Sequence, residues 1–254
     1  MRSPPEQISL TVAGREIAGT LIAPPNRKEA PGLLFVHGWG ASQEQCLPEA
    51  YAVAELGCAC LTFDLRGHGA RKAERDVVSR EDNLRDVLAG YDWLTRGRRV
   101  TPVGIVGTSY GAYLAAIATS LRPLSCLALQ APAIYPDGNW SLPKIKLHAD
   151  SNLTVYRSRI VGSQDNRALR ACATFRGDVL IVSSEYDTVV PRPVSESYVG
   201  ACSGARSLSR KIIAHADHGL SEESWRREYR SILQEWAKAT VACGKQDSAF
   251  NSSS

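Results

Sequence analysis

The stretch "VGIVGTSYGAYLAAIA", residues 103–118, changes character at its middle. An apolar, β-branched run leads into Gly107-Thr108-Ser109-Tyr110-Gly111, and an Ala-rich run follows. The first part predicts a buried strand and the last a helix. The junction therefore places a serine on a strand-to-helix turn with a glycine two residues to either side. Glycine is what such a turn needs where neighbouring backbones approach too closely for a side chain. The serine hydroxyl would then project from the turn, and the helix N-terminus would favour negative charge developing beside it. The alternative is an ordinary tight turn with an incidental serine, so the surrounding sequence has to decide.

Outward from this junction, strands and helices alternate. "ISLTVAGREIAGTLIAP" predicts two strands around an Ala13-Gly14-Arg15 turn. "GLLFVHG", "CACLTFD", "LSCLALQAP", "DVLIVSSEYD" and "RSLSRKIIAHAD" predict further strands. "QEQCLPEAYAVAELG", "REDNLRDVLAGYDWLTR" and "SEESWRREYRSILQEWAKAT" carry helical patterns. The second has its apolar stripe at Leu84, Val87, Leu88, Tyr91 and Leu94. A hairpin followed by βαβα alternation implies a mostly parallel, eight-stranded sheet flanked by helices, in one α/β domain over residues 1–254. Residues about 132–176 break the alternation and predict a short lid-like insertion. Residues about 244–254, "GKQDSAFNSSS", predict a frayed tail.

In a parallel sheet the chemistry gathers where strands end. Serine needs a base, and the base needs an acid to hold it. His218, in "AHADHGLSEE", follows the last predicted strand, and Asp187, in "SSEYDTVVP", follows the one before it. Ser109, Asp187 and His218 thus fall on one rim in the chain order expected for this architecture. His215 and Glu185 are the competing residues; His215 is expected to pack behind the site. His148 lies in the insertion and is expected at the surface. "LLFVHGWGAS" puts Gly38 and Gly40 around Trp39 after another strand. Backbone N–H groups of Trp39 and Tyr110 are therefore the expected oxyanion donors. His37 is expected to hydrogen-bond structurally. Trp140, Leu142 and Ile145 are the candidate lining of the acyl pocket.

Taken together, "HGWG", "FDLRGHG", "GTSYGA", "SEYDTVVP" and "ADHG" resemble the α/β-hydrolase superfamily across nearly the whole chain. The small-lid branch is nearest in character, with its dienelactone-hydrolase-like, serine-aminopeptidase-like and feruloyl-esterase-like members. The resemblance implies that Asp64–Gly69 is a structural loop, with Arg66 and His68 as scaffold. It also implies a serine esterase with an acyl-enzyme mechanism. A thioesterase or small-amide hydrolase would use the same triad, and a non-hydrolytic binding protein would keep the sheet. Thr108 stands where the family often has His, and the short insertion speaks against very long lipid chains.

Composition narrows the partners. The formal charge is +4, with no Lys/Arg-rich run, so nucleic acid is not expected. The expected partner is a small ester-like molecule. No H-E-x-x-H and no Cys/His pair at ligand spacing occurs, so neither metal nor cofactor is expected. Seven scattered cysteines without a C-x-x-C pair fit free thiols, and the opening "MRSPPEQISL" has no apolar leader core. No membrane span is expected, and a cytoplasmic location is. Between Pro132 and Arg176 the chain carries Lys144, Lys146, Arg157, Arg159, Arg167, Arg170 and Arg176 against Asp137, Asp150 and Asp165. This surplus is either a solvated lid face or a field attracting an anionic acyl group.

Overall fold

The computed structural model describes residues 4–24, 29–96, 100–148 and 152–250, with side chains described as far as residue 240. In chain order its main elements begin with strands β1 (Glu6–Val12), β2 (Arg15–Ile22) and β3 (Ala30–Val36). Helix α1 (Leu47–Ala54), β4 (Ala59–Phe63), α2 (Arg80–Thr95), β5 (Val100–Thr108), α3 (Tyr110–Ala118) and β6 (Cys126–Gln130) follow. The insertion carries α4 (Ile145–His148) and α5 (Asn152–Arg157). Then come α6 (Arg167–Thr174), β7 (Asp178–Ser184), α7 (Arg192–Ala201), β8 (Ser207–Ile213) and α8 (Glu223–Phe250).

The eight strands form one sheet in the order β1-β2-β4-β3-β5-β6-β7-β8. β1 pairs antiparallel with β2, and β2 antiparallel with β4. All pairs from β4 through β3 to β8 are parallel. Central strands are buried on both faces, which is why they read as unbroken apolar runs. β3 shows the division: Leu34 and Val36 enter one core, and Leu33 and Phe35 the other. The first core lies under α2, α3, α6 and α7; the second lies under α1 and α8. Cys46, Cys58, Cys60, Cys126, Cys172 and Cys202 are buried, and none of them is in a disulfide.

Three features depart from the sequence reading. Helix α7 was not expected, because "PRPVSESYVGA" has the Pro, Ser and Gly content of a loop. Proline in its first turn instead costs nothing, since that N–H has no helical partner. The interval 132–176 is not all insertion. Helix α6, N-capped by Asn166 through the N–H groups of Ala168 and Leu169, is the crossover between β6 and β7 and packs on α3. Finally, α8 continues to Phe250, through most of the segment expected to fray. Apart from Gly244, residues 244–250 hold no helix breaker. Residues 251–254 lie outside the described residues.

Candidate active site

The close packing of α3 against β5 and β3 dictates the turn at Ser109. A Cβ built on Gly107 would lie 2.5 Å from the Cα of Ala112, and one on Gly111 would lie 2.5 Å from the carbonyl oxygen of His37. Neither position can hold a side chain. Ser109 itself has φ 52° and ψ −110°, a backbone conformation that most residues avoid. Its N–H donates to the Gln130 carbonyl (2.8 Å), and its own carbonyl accepts from Tyr113 N–H (3.2 Å) and Ala133 N–H (3.1 Å). The strain is thus held from β6 and from the helix.

The loops after β7 and β8 bring the other two groups to this turn. His218 Nε2 is 3.0 Å from Ser109 Oγ, and His218 Nδ1 is 2.7 Å from Asp187 Oδ2. The second Asp187 oxygen, Oδ1, accepts from the N–H groups of Val189 (2.9 Å) and Val190 (2.7 Å). With a carboxylate facing Nδ1, the proton belongs there, and Nε2 is left to accept from the serine hydroxyl. His215 is not part of this group. Its side chain is 72% exposed, beside Tyr186 Oη (3.1 Å) and Glu185, rather than packed behind the site as expected. A left-handed turn at φ 59° throws it outward.

The loop after β3 reaches the same point: a Cβ on Gly38 would lie 3.5 Å from Ser109 Cβ. Buried His37 governs that loop. Its Nε2 accepts from Leu65 N–H (3.0 Å), so Nδ1 carries the proton and donates to the Gly38 carbonyl (2.8 Å). Burial pushes its pKa down to about 4, keeping the ring neutral. Because the peptide is planar and trans, holding the Gly38 carbonyl aims the Trp39 N–H the opposite way. The Tyr110 N–H is the first of α3, one of the four donors a helix leaves without an internal acceptor. Its phenol is fixed by Asn83 Oδ1 (3.1 Å).

Arg66 and His68 are scaffold. The Arg66 side chain donates to Asp86 Oδ1 (2.6 Å) and to the Asp82 carbonyl (2.5 Å). Asp82 is itself placed by a reciprocal cap with Ser79 at the start of α2. His68 is buried, its Nδ1 against the Arg66 carbonyl (3.0 Å), and burial with His37 nearby lowers its pKa to about 4.

A cavity of about 450 Å³ contains Ser109 and His218. One wall is Trp39, Gln45, Cys46, Pro48 and Glu49, from the segment after β3; the other is Leu220, Arg226 and Tyr229, after β8. Trp140, Leu142 and Ile145 do not line it. Trp140 stacks on Tyr113 (6.0 Å, 19°) between the guanidinium groups of Arg80 (4.8 Å) and Arg167 (4.6 Å). Leu142 and Ile145 face outward. The reason is that the insertion folds back over α2 and α3. Glu81 N–H donates to the Trp140 carbonyl (3.3 Å), and Lys144 N–H donates to the Val78 carbonyl (2.9 Å). Sequence reasoning missed Gln45–Glu49 and Leu220–Tyr229; the rule that ligands gather at strand ends applies equally to them and is the signal that could have found them.

The basic surplus of the insertion is largely spent on its own structure. Lys144 is buried among the rings of Trp39 (4.0 Å), Tyr110 (4.5 Å) and Tyr135 (4.8 Å). Arg157 donates to the Ile134 carbonyl (3.0 Å), and Arg170 pairs with Asp137 (2.8 Å). None of the insertion's Lys and Arg residues is among those that line the cavity, so none is placed to hold an anionic acyl group there. His148 falls outside the residues whose burial is described. Among the described residues no group of three or more His, Cys, Asp or Glu side chains could hold a metal, and no helix is long and apolar enough to cross a membrane.

Residues 33–241 match the sequence model described as the alpha/beta hydrolase family, and the chain belongs to that family. An uncharacterized protein of Mycobacterium tuberculosis is 26% identical over 205 residues, which are 75% of this chain and 64% of that protein. The chain therefore spans less than two thirds of this relative's length. Among solved structures, Est1E from Butyrivibrio proteoclasticus with ferulic acid bound superposes with a TM-score of 0.73 at 18% identity, over 92% of this chain and 99% of that one. Dienelactone hydrolase from Anabaena variabilis gives 0.67 at 19% identity, over 93% and 97%. At such identities the likeness is one of fold.

Proposed function

We propose that the protein is a serine hydrolase that cleaves carboxylic esters through an acyl-enzyme, with Ser109 as nucleophile, His218 as base and Asp187 as its orienting acid. The observation that carries this reading is the pair of contacts through one imidazole, 3.0 Å to Ser109 Oγ and 2.7 Å to Asp187 Oδ2. His218 takes the hydroxyl proton as Oγ attacks the ester carbonyl, then returns it to the departing alkoxide; water repeats the cycle on the acyl-enzyme. Asp187 stabilises the imidazolium formed in between. The N–H groups of Trp39 and Tyr110 receive the oxyanion, and His37 acts through the Gly38–Trp39 peptide to aim one of them. No step calls for a metal or cofactor.

A fluorophosphonate probe should label the wild type at Ser109 and leave Ser109→Ala unlabelled. Absence of labelling in the wild type would instead favour a binding protein on the same fold. p-Nitrophenyl esters of increasing chain length, run beside a feruloyl ester, a thioester and a peptide anilide, rank the leaving groups. Faster turnover of the thioester or anilide than of every oxygen ester would replace the ester assignment.

A further inference from the structure

Glu49 is an unusual wall for a reaction cavity. It lies in the first turn of α1 and is only 9% exposed, yet it borders the space that holds Ser109 and His218. A buried carboxylate normally has a close cation or several donors. Here the nearest cation is Arg230, at 3.9 Å, beyond hydrogen-bonding distance. Arg230 is already committed to Glu223 at 2.6 Å. Arg226, on the same cavity wall, is held by Glu223 (2.9 Å) and by the carbonyls of Leu220 (3.0 Å) and Ser221 (2.8 Å). The Glu49 carboxylate otherwise receives its own backbone N–H.

Resting on the hydrolase reading above, we propose that Glu49 determines specificity by accepting a hydrogen bond from a neutral hydroxyl group of the substrate, so that the preferred esters are hydroxylated ones. A neutral donor fits better than an ammonium group, because Arg226 and Arg230, offset by the single carboxylate of Glu223, already supply Glu49 with its counter-charge. An anionic group would meet Glu49 itself. Burial pushes the Glu49 carboxyl up to about 7, and either protonation state keeps an oxygen able to accept from a hydroxyl. Without a partner, the polar wall disfavours a purely apolar ligand, which is how a site built for a hydroxyl discriminates against the analogue lacking it.

The test is a matched series: ethyl 3-phenylpropanoate and its 2-, 3- and 4-hydroxyphenyl counterparts. In the wild type, at least one hydroxylated isomer should exceed the parent by roughly tenfold in kcat/KM. Glu49→Leu should erase that advantage, by slowing the hydroxylated isomer, by speeding the parent, or by both. Glu49→Gln, which keeps the volume and a carbonyl acceptor, should retain part of it. Equal kcat/KM for all four esters in the wild type, or an advantage that survives in Glu49→Leu, overturns the proposal. If the wild type turns over none of the esters, the fluorophosphonate label at Ser109 judges the hydrolase reading separately, and equilibrium binding to Ser109→Ala decides the role of Glu49. A hydroxylated ester that binds more tightly than the parent to Ser109→Ala, but not to the Ser109→Ala/Glu49→Leu double variant, upholds it; equal affinities overturn it.

Discussion

The ammonium group of Lys144 lies 4.0 Å from the centroid of the Trp39 ring, although one residue belongs to the insertion and the other to the loop after β3. Burial lowers the Lys144 pKa to about 6, against the opposing attraction of the ring faces for a cation. The unfolded lysine titrates near 10.5, so between about 6 and that value the unfolded chain binds the extra proton. Stability attributable to this residue therefore rises with pH across that window. Melting temperatures of Lys144→Met and wild type at pH 6, 7.5 and 9 should show the difference, variant minus wild type, falling as pH rises. A difference that stays constant with pH would mean that the lysine keeps its proton in the fold.

Ser109→Ala should lose on the order of 10⁶ in kcat for ester hydrolysis and keep its fold. Alanine tolerates the left-handed turn about as well as serine, and the hydrogen bonds that hold the turn are made by the Ser109 backbone. Ester kinetics with a parallel thermal melt check both halves. Residual activity within tenfold of wild type is incompatible with a serine nucleophile.

Removing the imidazole that bridges serine and carboxylate should cost about as much as removing the serine, because triad members act as a unit. His218→Ala is therefore expected to be as inactive as Ser109→Ala. His215→Ala should stay within about twofold of wild type in kcat/KM and change stability by less than about 0.5 kcal/mol, as exposed substitutions usually do. The reverse ranking would assign the base to the other histidine.

His37→Ala separates aiming from reacting. It strips the acceptor from Leu65 N–H and the donor from the Gly38 carbonyl. The first loss should cost about 1–3 kcal/mol in stability. Misdirecting one oxyanion donor should cost up to about 10²–10³ in kcat, with little change in KM. A variant that melts early yet turns over at the wild-type rate when folded would show that His37 does not aim the Trp39 N–H.

Asp86→Ala leaves the buried Arg66 without its nearest carboxylate, and such orphaned charges cost about 3–5 kcal/mol. Denaturant titration should show this loss. Asp86→Asn, which keeps a carbonyl acceptor, should recover part of it.

The rim of the sheet was readable because its rules are local. Gly107 and Gly111 mark the turn, and Asp187 and His218 each follow a recognisable strand. The cavity wall was harder, because it depends on how segments far apart in the chain pack together. Trp140 looked like acyl lining by sequence position, but its contact with Tyr113 and two arginines draws it over α2 and α3 instead. Nothing in the sequence sets Glu49 apart from the other polar residues of its helix. Only the packing of α1 against α8 makes it a buried carboxylate. Likewise α7 was hidden by its prolines, which mark helix starts as readily as loops.

The imidazole that touches Ser109 lies 109 residues further along the chain, and Gln234 of α8 reaches back 182 residues to the Ala52 carbonyl of α1. During synthesis, the turn at Ser109 can form as soon as β3, β5 and β6 have paired. Its hydroxyl then has neither a proton acceptor nor a closed chamber until residues 218–229 have emerged and docked. On the hydrolase reading proposed above, an unfinished polypeptide therefore exposes an inert alcohol rather than a reactive one. In a refolding experiment, the first appearance of turnover would time the arrival of the C-terminal segment, not the assembly of the central strands.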